Sequence, residues 1–367
     1  MTIITCRRPS NSSNPSALLA FPELSPLTVL LFLGHAYDVR NRRVPGLWRG
    51  LLVRLASAAK LLIILASATW VLASLPAQDL APRAYLILPL HSNAVTLSYS
   101  FMDGSLNFGD VVPLSDSKAH VNLPVLSASH SFGLFGRSAL FTASLPYGVG
   151  HVSALVVDTE QNVYRSGMFD SSYRFSINLL GGPAMELRDF AKWRQKTVLG
   201  ASVRLVAPTG QYDPTKLINF GSNRWALKSE AGLSQRKGHW IVDAYGGGWY
   251  YGTNPEFFSH NQYNPGTTTQ KQSSMFSFEG HVSYDVKPRL WASFDANYWH
   301  GGITSLNGVE NPDTLQNNSR IGGTLAVPVT KHQALKFSYA NGAYIKYGGN
   351  FQTFSFAWQY SWLGRPN

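Results

Sequence analysis

Thiols are all but missing from this chain: one cysteine, Cys6, stands in 367 residues. Everything beyond it has neither a disulfide framework nor a thiolate metal site. No cysteine adjoins the small residues Ala73, Ser74 and Ala77, which excludes lipid attachment there. Charge is scarce too, at 14% of residues against roughly 25% in ordinary soluble domains. Aromatics, Gly, Ser, Thr and Asn take its place. The apolar run Leu61–Leu72 falls short of the roughly 20 residues that a membrane-spanning helix needs.

A net charge of +11 invites a nucleic-acid reading, but residues 1 to 77 alone carry eight of the 31 Lys and Arg and only two of the 20 acids. The 23 basic and 18 acidic residues that remain form no basic stripe, so a nucleic-acid partner is excluded.

The first 77 residues read as an address. Arg49, Arg54 and Lys60 precede the apolar run, and Ala73, Ser74 and Ala77 follow it: positive region, short apolar core, small-residue cleavage site. Cutting after Ala77 or after Ala73 satisfies the pattern equally. A secretory signal belongs at the start of a chain, so residues 1–50 are expected to be a disordered extension or the product of a start codon set too far upstream. The expected organisation is this extension, a signal over residues 51–77, and one exported domain over residues 78–367.

From His91 onward the period is two. Apolar residues alternate with small polar ones at Val95, Leu97, Tyr99 and Phe101, at Val121, Leu123 and Val125, and at Phe141, Ala143 and Leu145. The same alternation runs on in later segments to Phe354, Phe356, Trp358, Tyr360 and Trp362. Twelve such segments predict twelve strands with one apolar and one polar face. Tight connections follow segments 2, 6, 8 and 10, at Leu134–Gly136, Arg236–Gly238, Lys287–Pro288 and Thr330–Gln333. Long polar connections follow the odd segments from 1 to 9, as in Gly252–Gln270 and Gly301–Asn318. Short turns alternating with long loops mark a transmembrane antiparallel β-barrel with both chain ends in the periplasm. Residues 181–194 break the pattern and predict a short helix at that end. Five aromatics at every second position of the last strand would aggregate in water but suit a lipid-facing girdle. The predicted location is the outer membrane of a Gram-negative cell, with outer-membrane lipid and a small-molecule solute as partners.

If the apolar positions face lipid, the other phase lines the lumen. It carries Arg174, Arg204, Lys228, Arg320 and Lys336 against Glu230, Asp243, Glu279, Asp285 and Asp295. These charges either neutralise one another in a web that fills the barrel or form a constriction that selects what passes. His281, Ser283 and Asn297 could in principle run acyl transfer. The phase puts them on the polar face, away from lipid, so an enzyme is not expected. Scattered histidines and the lack of an acidic calcium loop give no metal site, and no cofactor is implied. Gly246-Gly-Gly248 is followed by no lysine and no helix, and reads as a strand bend.

The stretch Arg194–Trp225, with its run Pro208-Thr-Gly-Gln-Tyr-Asp-Pro214 followed by Asn223-Arg-Trp225, resembles a bacterial family of outer-membrane proteins named for the meta-cleavage pathway of phenol degradation. Lys287-Pro-Arg-Leu-Trp-Ala-Ser-Phe-Asp-Ala296 and Asn318-Ser-Arg-Ile-Gly322 extend the resemblance to the end of the chain. The resemblance implies a barrel that admits aromatic or other hydrophobic compounds, by passive diffusion. Within it, Tyr212, Asp213, Asn219, Arg224 and Trp225 are expected at the outer mouth, either as binding residues or as turn and girdle formers. A structural or adhesive barrel presenting Gly248-Trp-Tyr-Tyr251 and Glu256-Phe-Phe258, and a lipase, are the alternatives. The number of subunits is left open.

Overall fold

A computed structural model describes residues 80–107, 114–156, 159–216, 218–261 and 264–364. The extension and signal expected over residues 1–77, with both cleavage positions, lie outside the described residues. The chain runs through β1 (Ser92–Asn107), β2 (Leu114–Leu134), β3 (Arg137–Val156), β4 (Thr159–Met168), β5 (Ser171–Leu180) and β6 (Thr197–Ala207). It continues through β7 (Ala226–Lys237), β8 (Trp240–Tyr251), β9 (Gln270–Gln272), β10 (Met275–Lys287) and β11 (Leu290–Gly301). The last elements are β12 (Thr304–Leu306), β13 (Val309–Asn311), β14 (Gln316–Pro328), β15 (Gln333–Ile345) and β16 (Gly348–Leu363). A single helical turn, Leu187–Phe190, stands where the short helix is predicted.

Thirteen strands share one antiparallel sheet. β4 pairs only with β3, and the other twelve form a ring closed by β2 against β3. β1 pairs with the aromatic β16 from Ser92↔Leu363 to Asn107↔Gly348, so the first and last strands leave no open edge. Closure matters because an unpaired strand edge in hydrocarbon leaves costly backbone groups without partners. β9, β12 and β13 form a separate three-stranded sheet.

Phase decides which side each residue takes. Leu97, Tyr99, Trp240, Phe276, Phe294, Phe337, Phe354 and Trp362 are exposed on the outside, as lipid-facing residues must be. β2 departs from the expected phase. Register pairs Leu97 with Leu126 and Tyr99 with Pro124, which turns Leu126 outward and Val121, Leu123 and Val125 inward. Val121 is fully buried in an apolar cluster with Met102, Ala119, Phe220 and Phe351. Alternation fixes that two faces differ, but an apolar patch inside the barrel reverses which of them is the greasy one.

Two expected loops are strand instead. β2 and β3 run 21 and 20 residues, about twice the 9–11 that a tilted strand needs to cross a bilayer, so their outer halves stand beyond the membrane. The ladder between them skips from Asn122↔Val149 to Val125↔Pro146, where Pro124 and Pro146 supply no N–H. β3 changes partner at this height, pairing with β5 up to Ser144↔Ser172 and with β4 from Tyr147↔Met168.

Candidate permeation path

The segment before β1 enters the barrel. Tyr85 and Ile87 are 2% and 0% exposed, and burying side chains of this size stabilises by about 1.5–3 kcal/mol each. Tyr85 lies over Gly200 on β6 and Gly232 on β7. A Cβ added to either glycine would come within 2.2 Å of its ring, so only glycine leaves room for it. Its hydroxyl bonds Ser202 Oγ at 3.0 Å and donates to Glu230 Oε1 at 3.0 Å, and its ring meets Tyr245 edge-on. Arg83 pairs with Asp285 at 2.8 Å and lies over the Trp291 ring, while its backbone N–H donates to Asp243. Leu80 reaches Gly322 on β14. This strap runs from the foot of β2, where His91 N–H donates to Ser131 O, across the lumen to β14. Sequence reading gave Tyr85 and Arg83 no role beyond their place near the start of the expected exported domain. The signal that could have flagged them is a Leu, Ile and Tyr run between Pro82 and Pro89 that lacks the period of two.

The strap lies against the charged wall. Asp295 on β11 accepts from Thr324 at 2.8 Å and pairs with His281 Nδ1 on β10 at 2.9 Å. Glu279, two residues before His281, holds Lys228 Nζ of β7 at 2.9 Å. Lys228 also meets Glu230, which takes Arg174 of β5 at 3.3 Å. Arg320 donates to Phe351 O and Thr353 Oγ1 at 3.4 Å. Asp243, Glu279, His281, Asp295 and Arg320 are at most 3% exposed. Removing water from such charges is costly, and close opposite charges with added hydrogen bonds offset that cost. Arg204 faces the same interior between Arg174 and Lys228 in the register.

The remaining wall is built differently. Thr96, Ser98 and Ser100 on β1, Ser127 and Ser129 on β2, Thr142 and Ser144 on β3, Ser338 on β15 and Ser355 on β16 point inward and are half-buried. Gln359 and Lys336 point inward and are exposed. Neighbouring hydroxyls bond one another, as in Ser100 with Ser355 at 2.8 Å and Ser127 with Ser144 at 2.9 Å. Short side chains cannot reach across a barrel of this size, so the middle of this wall stays open to water, between Ser131 and Ser138 buried at its foot and the Val121–Phe351 cluster buried at its outer end.

Among the lumen charges expected from the sequence, the structure therefore brings all but Lys336 onto the β5–β14 side. The mouth residues do not converge on one face. Asp213 accepts from Thr215 N and Oγ1 at 3.0 and 2.6 Å and pairs with Lys216 at 3.0 Å. These contacts, the Thr215 hydroxyl first, hold its carboxyl below the usual aspartate value. Asn219 closes the same turn through Asp213 N and O. Tyr212 donates to Glu256 O and accepts from Asn254, both at 2.9 Å, tying this loop to the next. Arg224 is 5% exposed, lies over Tyr251 and donates to Gln272; burial lowers its pKa. Trp225 is 54% exposed in line with Leu227 on the outer face.

The aromatic residues considered for adhesion are largely occupied. Trp249 and Phe257 are 1% and 7% exposed, with Trp249 packed in a cluster with Met275 and Trp299. Only Tyr250 of the first group turns fully outward, in line with Trp225 and Phe276. His281 is engaged with Asp295, and Ser283 makes no hydrogen bond to it.

Comparison with solved structures finds an outer membrane channel of Pseudomonas putida F1 at TM-score 0.63 and 20% identity, covering 77% of this chain and all of that one. The transport unit of the autotransporter AIDA-I from Escherichia coli follows at TM-score 0.44 and 10% identity, covering 82% and 99%. The β domain of the Bordetella autotransporter BrkA gives 0.44 and 11%, covering 74% and 100%. No curated protein sequence matches the chain. The first of these structures shows the same fold, and with the closed barrel and its lipid-facing aromatic band it makes this an outer-membrane protein. A sequence profile matches residues 103–358, and the chain belongs to the family that profile describes, "Putative MetA-pathway of phenol degradation".

Proposed function

We propose that the barrel is a passive channel for small, weakly polar aromatic solutes, which descend their own gradient along the hydroxyl-lined wall. The observation that carries this reading is the difference in packing inside one ring of strands. From β5 to β14 the lumen is filled by paired charges and the strap, whereas from β15 through β16 to β3 the inward hydroxyls at mid-height are only half-buried and stay open to water. Apolar clusters around Val121 and Phe220 and around Trp249 and Trp299 stand at the extracellular ends of these strands. Phenol-like molecules, with an apolar ring and one hydrogen-bonding group, suit both surfaces in turn. The family's description and the Pseudomonas barrel's description as an outer membrane channel support the same reading.

Uptake of phenol and benzyl alcohol into liposomes containing the purified barrel tests it. Uptake above that of protein-free liposomes is expected, together with a small single-channel conductance. A barrel that carries neither solute nor current refutes the channel. A purely structural or adhesive role is disfavoured by the burial of Trp249 and Phe257.

A further inference from the structure

On its own five strands the open wall carries one charge, although the Arg320 guanidinium reaches its β16 edge from β14. Along the inner faces of β15, β16, β1, β2 and β3, the inward residues from Thr96 to Gln359 are Ser, Thr, Ala, Gln and apolar side chains, with Lys336 the single exception among the described residues. Its inward direction follows from the register: Phe337 and Phe356 pair on the lipid side, so Lys336 and its partners Ala326 and Ala357 face the lumen. Both alanines are short and buried, which leaves the lysine stem free to extend into the water-filled space. Lys336 is exposed and has no ion-pair partner among the described residues.

The carboxylates that could cancel it are engaged on the packed wall. Asp295 holds His281, Glu279 holds Lys228, Glu230 holds Arg174 and Lys228, and Asp285 holds Arg83 and Arg236. Asp243 accepts from the backbone of Arg83. Paired charges project little field, whereas a lone charge in a narrow, low-dielectric passage raises the local concentration of its counter-ions.

We propose that Lys336 is the residue that sets charge selectivity in this passage, favouring small anions, including ionised phenols and aromatic carboxylates, over cations of the same size. The inference rests on the channel reading above. Its test is the reversal potential of the purified full barrel in planar bilayers under a potassium chloride gradient. The native protein should give a chloride-to-potassium permeability ratio above one, Lys336→Gln a ratio near one, and Lys336→Glu a ratio below one. Liposome uptake of benzoate should fall in the same order, while uptake of neutral benzyl alcohol stays constant. Heat-modifiable migration on gels checks that each variant forms the barrel, and the unbranched Lys336→Met serves as the neutral form if the glutamine variant does not fold. A conducting barrel whose selectivity is unmoved by these substitutions overturns the role of Lys336 and leaves the channel intact. A native barrel with no current and no uptake overturns both.

Discussion

The wall from β5 to β14 and the wall from β15 to β3 belong to one continuous sheet, yet their interiors differ in kind. On the first, long charged side chains meet across adjacent and next-but-one strands, and a strap from outside the sheet lies on top of them. On the second, Ser and Thr hydroxyls reach only their nearest neighbours. Alternation gives both walls a polar inner face; side-chain length decides which becomes a packed core and which a passage. Charge placement follows the same division, because a buried charge demands a partner while a charge in water does not.

Breaking the packed wall should have the largest effect. Lys228→Ala leaves Glu279 and Glu230 facing each other without their shared cation and should destabilise the barrel by about 3–5 kcal/mol, read as a lowered urea midpoint in lipid or detergent. Ser100→Ala on the open wall should cost under about 1 kcal/mol in the same measurement. Equal losses would erase the distinction between the walls.

Loosening the strap should come next. Gly232→Val puts carbon where the Tyr85 ring lies, at 2.2 Å for the Cβ alone, and should expel the strap while leaving its own sequence intact. Single-channel conductance is expected to rise several-fold, as is that of Arg83→Ala, which removes the contact to Asp285. Unchanged conductance would mean that the strap does not narrow the path. Filling the open wall should do the reverse: Ser100→Trp is expected to lower benzyl alcohol uptake with little change in stability, whereas a substitution at Ser283, already fully buried, should leave uptake alone wherever the protein folds.

The smallest effect lies outside both walls, in the Asp213 turn. Its folded carboxyl titrates below its unfolded value, so the stability it contributes is complete above the ordinary aspartate range and is lost as pH falls through the depressed value. Amide exchange at Thr215 and Lys216 should therefore quicken only in strong acid. Asp213→Asn should show that faster exchange at neutral pH, with uptake unaltered.

Much of the architecture was legible in the sequence. Period-two segments located the membrane strands, the turns at Gly136, Gly238 and Pro288 fell where chain reversals occur, and the aromatics of β16 face lipid as their spacing implied. The outer halves of β2 to β4 were not legible, because strand beyond the membrane needs no lipid-facing stripe and its composition matches that of a polar loop. Nor was the phase of β2, since Val121 is apolar for the sake of an inner cluster.

What the sequence determined by itself was therefore the barrel: a two-residue repeat, scarce charge and alternating turn lengths admit few other folds. What tertiary structure decided was the interior. Local pattern placed Lys228, Glu279 and Lys336 on the same polar phase, and only the register and curvature of the closed sheet separate a lysine held between two carboxylates from one left alone in water. Tyr85 shows the same limit, because its partners on β6, β7 and β8 lie more than a hundred residues away, at distances that no local periodicity encodes.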